Sequence, residues 1–231
     1  MVSGSTSTRL QLLSRFEVAV EGEPVDLNPG SQRVLAFLAL SDQAVSRAYA
    51  AFRLWPDKPE SRAMANLRSA LWRLRQQPGE LVDSTLTDIR LAGSVWVDAR
   101  DGIRDLASTF PLSCPEVGAM LTADLLPEWY DEWLVVERER LRQLRLHTLE
   151  KWCRELIARG RMAEAIDLAL RSIAVEPLRE SSHRLVIEAH LAEGNVNEAA
   201  RHLAAFHVRV SEELGVPPSE DLMSLVPITT R

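Results

Sequence analysis

Between Leu10 and Val20 the apolar side chains recur at every second position, and from Val34 onward they recur three and four residues apart. A period of two puts alternate side chains on opposite faces of a strand, while the longer period lines one side of a helix. The chain is therefore expected to begin with strands that have one wet face and to continue as helices. Leu10, Leu12, Phe16, Val18 and Val20 share one parity, and Gln11, Arg15, Glu17 and Glu21 the other, with Leu13 and Ser14 interrupting the two rows. Gly22 and Pro24 punctuate a turn before Val25 and Leu27, which predicts an antiparallel hairpin or small sheet.

After Asn28-Pro29-Gly30 the pattern predicts three helices. Ser31 is the expected cap of the first, which carries Val34, Leu35, Phe37, Leu38 and Leu40. Ser46 is the expected cap of a short second helix through Tyr49, Phe52 and Leu54, ended by Trp55-Pro56. A third spans about Ser61 to Gln77 and is stopped by Pro78-Gly79. Short β-like pieces follow at Leu81-Val82, Ile89–Leu91 and Val95–Val97. Three helices and then a β-hairpin is the order of a winged helix.

From Gly102 onward the pattern is helical throughout. The longest periodic run, Glu128 to Arg159, includes Trp129, Trp133, Val136, Leu141, Leu144, Leu149, Trp152 and Leu156. The segment Ala158–Ala165 matches Ala192–Ala199 at an offset of 34 residues, the length of a tetratricopeptide (TPR) helix pair. Two copies are fewer than a free-standing solenoid needs, so flanking helices must complete the core. The expected division is residues 1–101 for the winged helix and 102–231 for the helical part.

The third helix carries the chemistry. At about 100° per residue, Ala63, Leu67, Ala70, Leu71 and Leu74 gather on one side and must face the core. Arg62, Asn66, Ser69 and Arg73 fall within about 60° of one another elsewhere on the cylinder, with Arg68, Arg75 and Trp72 beside them. From Arg62 to Gln77 there are four arginines and no acid. A major groove admits one helix, and arginine and asparagine are the side chains that pair best with guanine and adenine edges. The same face suits phosphate contacts. An ordinary solvated helix face is the plain alternative. In the hairpin region, Leu81 to Val97, Thr85, Thr87 and Arg90 are candidates for a neighbouring backbone or minor groove, while Asp83 and Asp88 oppose such contacts.

Net charge is −6, yet the 13 basic and 13 acidic residues of 1–107 cancel, so residues 108–231, with 14 against 20, carry the deficit. A local basic face is thus compatible with an acidic chain.

The ordered set of motifs resembles the Streptomyces antibiotic regulatory protein family of bacterial activators, over about Leu10 to Leu225. It rests on Leu12-Leu13 with Phe16-Glu17-Val18, Gln32-Arg33, Val45-Ser46-Arg47, Leu54-Trp55-Pro56-Asp57 and Asn66 through Arg75. In the second half it rests on Trp129-Tyr130-Asp131-Glu132-Trp133, Glu137-Arg138 and Leu141, Glu176 through Glu180, and Glu212 through Val216 with Pro218. The resemblance implies a mainly α fold with small β content: an OmpR-type winged helix-turn-helix, then an all-α, TPR-like bacterial transcriptional activator domain. It implies a third helix that enters the major groove of promoter repeats, and RNA polymerase contacts in the loop Pro56 to Glu60, at Asp57 and Lys58. Family members commonly switch on secondary-metabolite clusters. The hairpin departs from the family's frequent Gly-Tyr-Arg-Leu form, with Asp88-Ile89-Arg90-Leu91 instead.

Other residues read as structural. Trp129, Tyr130 and Trp133 are spaced for packing, and Cys153 for a small buried hydrophobe. The five histidines are scattered; His183 and His190 share a helix face but lack a third ligand, so neither metal nor cofactor is expected. No nucleophile–base constellation or phosphate loop points to an enzyme. The absence of a signal-like segment, of a spanning run and of a cysteine framework makes the cytoplasm the expected compartment. The expectation is a DNA-binding activator with double-stranded DNA and RNA polymerase as partners, a homodimer on tandem half-sites. The rival is a TPR-like protein-interaction adaptor with a degenerate winged helix.

Overall fold

The computed structural model describes residues 8–108, 121 and 123–226; Cys114 lies outside them. The chain divides into two compact units, Met1–Leu141 and Arg142–Arg231.

The first unit opens with β1 (Thr8–Gln11), β2 (Glu17–Val20) and β3 (Glu23–Pro24) in antiparallel succession. Leu10, Leu12, Val18 and Val20 are buried, as the alternation requires. Then come α1 (Pro29–Leu40), β4 (Val45–Ser46), α2 (Arg47–Leu54) and α3 (Glu60–Arg75). Three more strands follow, β5 (Val82–Ser84), β6 (Asp88–Leu91) and β7 (Val95–Val97). They do not form one hairpin region from Leu81 to Val97. The strands β5 and β6 pair antiparallel and β4 adds to β6, whereas β7 leaves to pair parallel with β1 and closes the N-terminal sheet in the order β3-β2-β1-β7. The wing is therefore Val82 to Leu91. Parallel pairing of β1 with β7 joins residues 87 apart, such as Thr8 and Val95, and Asp98 locks it: its carboxylate accepts from Leu12 N at 2.8 Å, Leu13 N at 3.0 Å and Ala99 N at 2.6 Å.

The cap of α1 is Asn28, not Ser31. Asn28 Oδ1 accepts from Ser31 N at 2.8 Å, and Pro29 occupies the first turn, where its missing N–H costs nothing. Ser31 lies inside the helix, buried, its hydroxyl turned to the Ala70 carbonyl at 3.4 Å. Ser46 caps α2 as expected, accepting from Tyr49 N.

Beyond β7 a π-helical turn at Asp98–Gly102 leads into α4 (Ile103–Ser108), and α5 runs from Trp133 to Ala158. The division between the units falls within α5, because Trp133, Leu134 and Leu141 belong to the N-terminal core. Trp133 meets Phe37 edge to face at 5.3 Å, and Trp129 stacks on Phe16 at 5.8 Å. Tyr130 is 91% exposed and does not share their packing role. Val136 and Leu144 are exposed too. Arg138 secures the approach to α5, donating to the carbonyls of Leu125 at 2.9 Å, Leu126 at 2.5 Å and Trp129 at 2.7 Å.

The second unit continues with α6 (Met162–Val175), α7 (Glu180–Ala192), α8 (Val196–Leu214) and α9 (Glu220–Met223). The 34-residue repeat appears as two equivalent helix ends: Gly160 and Gly194 adopt φ of +75° and +78°, the left-handed conformation that glycine reaches without a Cβ clash. Cys153 is buried, donating to the Ala165 carbonyl at 3.2 Å, and burial pushes its thiol up to about 12, so it packs rather than reacts. His183 pairs with His202, not with His190: its Nδ1 lies 3.0 Å from His202 Nε2, and its ring stacks on Phe206 at 3.9 Å. His183 Nε2 faces the Pro177 carbonyl at 3.0 Å, and a carbonyl can accept but not donate. His183 Nε2 therefore carries the proton, and His202 donates to Nδ1.

Candidate nucleic-acid interface

The core face of α3 is set by Ala63, Leu67, Ala70, Leu71 and Leu74, all buried. With that side of the helix committed, the others must face outward. Arg62, Arg68, Ser69, Arg73 and Arg75 are exposed and Asn66 is half-buried at the edge of the core face. Trp72, 62% exposed, lies between the arginines. Arg62, Arg68 and Arg73 have no carboxylate partner among the described residues, so three guanidinium groups stand open on one helix. From Arg62 to Arg73 the helix rises about 16 Å, enough to follow several base pairs of a groove.

Arg75 differs from the other three. Its Nη2 donates to Ser84 Oγ, which ties the last turn of α3 to the first strand of the wing. The wing is also held by α2. Arg47 donates from Nε at 3.1 Å and Nη2 at 2.8 Å to the Thr85 carbonyl, and its backbone N–H donates to the Thr87 carbonyl at 2.8 Å. Sequence reading placed Arg47 in a motif without assigning it a task; its partner is a backbone oxygen 38 residues away, which side-chain pattern cannot reveal.

The wing residues proposed from sequence come together on one hairpin, but they are engaged with their neighbours. Arg90 binds Asp83 through Nε and Nη2, each at 2.8 Å from Oδ2. Thr87 donates its hydroxyl to Asp88, and Thr85 Oγ1 accepts from Asp88 N at 2.9 Å and Thr87 N at 3.3 Å. Both acids that opposed anion contacts are thereby partly compensated, by Arg90 and Thr87. Asp57 and Lys58, in the loop between α2 and α3, are exposed with Pro56, Pro59 and Glu60. Among the described residues no group of three His, Cys, Asp or Glu side chains is arranged to hold a metal ion, and no helix is long and apolar enough to cross a membrane.

Similarities to known proteins extend along the chain. A family model described as the bacterial transcriptional activator domain matches residues 118–226. The regulatory protein AfsR of Streptomyces coelicolor is 27% identical over 96% of this chain, which spans about a quarter (24%) of that relative's length. The fold is shared with Mycobacterium tuberculosis EmbR, solved in complex with a low-affinity phosphopeptide, at a TM-score of 0.70 and 20% identity over 95% of this chain and 64% of EmbR. A winged helix followed by a helical unit is the fold that this chain shares with that neighbour. The chain is thus similar over nearly its whole length to a Streptomyces regulatory protein, and its residues 118–226 match a bacterial transcriptional activator domain.

Proposed function

We propose that the chain is a sequence-specific DNA-binding activator, with a winged helix over residues 1–101 and an activator domain over 102–231. In this reading α3 enters the major groove of promoter repeats through Arg62, Asn66, Arg68, Ser69 and Arg73. Arg75, Thr85, Thr87 and Arg90 line the approach to the neighbouring backbone. Asp57 and Lys58 contact RNA polymerase, and the protein acts in the cytoplasm, without a cofactor or catalytic step. Two copies occupy tandem half-sites, because each bound winged helix raises the effective concentration of the next. Secondary-metabolite clusters are the proposed targets.

The observation that supports this most is the set of three open guanidinium groups on α3, opposite a leucine face that leaves the helix no other orientation. Counterion release makes such binding salt-dependent. Selection of duplexes from a random-sequence pool, followed by titration at several salt concentrations, tests the proposal. Recovery of a consensus bound with a steep salt dependence supports it. Failure to enrich any duplex, with the folded protein intact, favours the adaptor reading instead. Light scattering on the selected duplex tests the dimer, which a strictly single copy per duplex excludes.

A further inference from the structure

The polar groups of the wing are occupied by one another, and the residue they hold outward is apolar. Leu86 sits at the tip, 97% exposed, between Thr85 and Thr87. Tight turns favour glycine, asparagine, aspartate and serine, for which this position gives hydrogen bonds or backbone freedom. A leucine there gains nothing from the fold, since it is neither buried nor packed.

The turn beneath it is unusually constrained. In a two-residue hairpin loop the residues that close it exchange backbone hydrogen bonds. Here Thr85 N donates to the Asp88 carbonyl at 2.9 Å, but Asp88 N donates to the Thr85 hydroxyl at 2.9 Å in place of the carbonyl. The Thr85 carbonyl is released to accept both nitrogens of Arg47. Arg47 from α2 and Arg75 from α3 thus hold the hairpin on the same framework as the arginine face. A lone exposed leucine on a mobile loop would carry no inference; this one is on a fixed tip, beside a cationic helix, with its neighbours' donors already used.

We infer that Leu86 is an apolar wedge that enters the minor groove beside the major groove read by α3 and opens a base step there. This rests on the DNA-binding proposal above. Apolar side chains that insert between base pairs unstack them and bend the duplex, and the cost is lowest at pyrimidine–purine steps. The wing then contributes specificity through deformability, with Arg47 as the positioning residue that keeps the tip from swinging.

The test uses the full chain and a duplex of about 30 base pairs enriched from the random pool by the wild-type protein, labelled at both ends for energy transfer. A second copy of the duplex carries 2-aminopurine at the step under the wing, located by footprinting. Wild-type protein is expected to shorten the end-to-end distance and raise 2-aminopurine fluorescence. Leu86→Ala is expected to bind about tenfold more weakly and to lose both signals, with the slope of log affinity against log salt unchanged, because an apolar contact releases no counterions. Leu86→Met is expected to restore the bend. Arg47→Ala is expected to reduce the bend while α3 footprinting persists. Since Leu86 packs against nothing, loss of fold does not confound its variants. If Leu86→Ala binds with the wild-type bend and fluorescence, the wedge is overturned while the DNA-binding proposal stands. If no duplex is enriched at all, the DNA-binding proposal fails and the wedge fails with it.

Discussion

Arg90 and Asp83 face each other across the wing, both guanidinium nitrogens meeting one carboxylate oxygen at 2.8 Å. The pair keeps an acid at the edge of a surface proposed to face phosphate. Asp83→Asn removes one negative charge and releases Arg90 toward the duplex. DNA affinity is expected to rise by a few-fold and the salt slope to steepen by about 0.9, the contribution of one added phosphate contact. Arg90→Ala is expected to do the reverse, exposing Asp83. Fluorescence anisotropy titrations at several salt concentrations measure both.

Arg62 and Arg73 lie on the same strip of α3, three turns apart, and among the described residues neither has a carboxylate to hold it back. Arg73→Ala is expected to weaken binding to the selected duplex by about 1–3 kcal/mol if the side chain reads a base edge, with relaxed preference at that position. A contact to phosphate alone weakens all duplexes equally and lowers the salt slope by about one. Competition with mutated duplexes separates these. Intact binding in both Arg62→Ala and Arg73→Ala would remove α3 from the interface.

The two coupled histidines make the second unit sensitive to acid. Burial lowers His202 to about 4, with the charges of His183 and His190 adding to the effect. Burial lowers His183 as well, Arg209 acting in the same direction and the Pro177 carbonyl and Glu180 against it. Unfolding returns each ring to an ordinary value of about 6.5, so between that pH and about 4 the unfolded chain binds more protons than the folded one. Stability is therefore expected to be complete above about pH 6.5 and to decline as pH falls toward 4. Urea unfolding followed by helical circular dichroism across this range checks it. His202→Gln, which cannot titrate, should flatten the decline.

Glu150 is buried on α5, where its Oε1 accepts from Arg179 Nε and Ser181 Oγ, each at 2.5 Å. Burial alone would raise its carboxyl, but the hydrogen bonds from Arg179 and Ser181, with the charges of Arg179 and Arg154, hold it below its ordinary value. Glu150→Ala leaves Arg179 without its carboxylate and is expected to cost about 3 kcal/mol, seen as a lower urea midpoint. The matching truncation of the exposed Arg171–Asp167 pair is expected to cost less than about 0.5 kcal/mol.

Gly194 turns the chain between α7 and α8 at φ +78°, with open space where a Cβ would stand. Gly194→Ala therefore meets no clash with neighbours, and its expected cost of about 1–2 kcal/mol is the left-handed backbone alone. Thermal unfolding measures it. The same change at Gly160 is expected to match it, since the two positions are equivalent in the repeat.

Local order was legible along the chain wherever a residue's neighbours in sequence are also its neighbours in space. The core face of α3, the Ser46 cap, the two glycine helix ends and the alternation of β1 and β2 all depend on contacts a few residues away. The arginine side of α3 followed from the leucine side by exclusion. Asn28 and Ser31 compete for one cap three residues apart, and proline at the first helical position decides for Asn28.

The remaining features depend on groups far apart in the chain. Whether β7 joins the wing or the N-terminal sheet is settled by parallel pairing with β1 and by the Asp98 carboxylate, neither of which leaves a periodic trace. The same is true of the Arg47 clamp, which acts on a backbone carbonyl, and of the His183–His202 pair, brought together by the packing of α7 on α8. Short-range periodicity records which side of an element avoids water; it does not record which distant hydrogen-bonding group will meet it there. For this protein the sequence determined the helices, the cationic face and the repeat, and tertiary structure decided how the wing is held and what its tip presents.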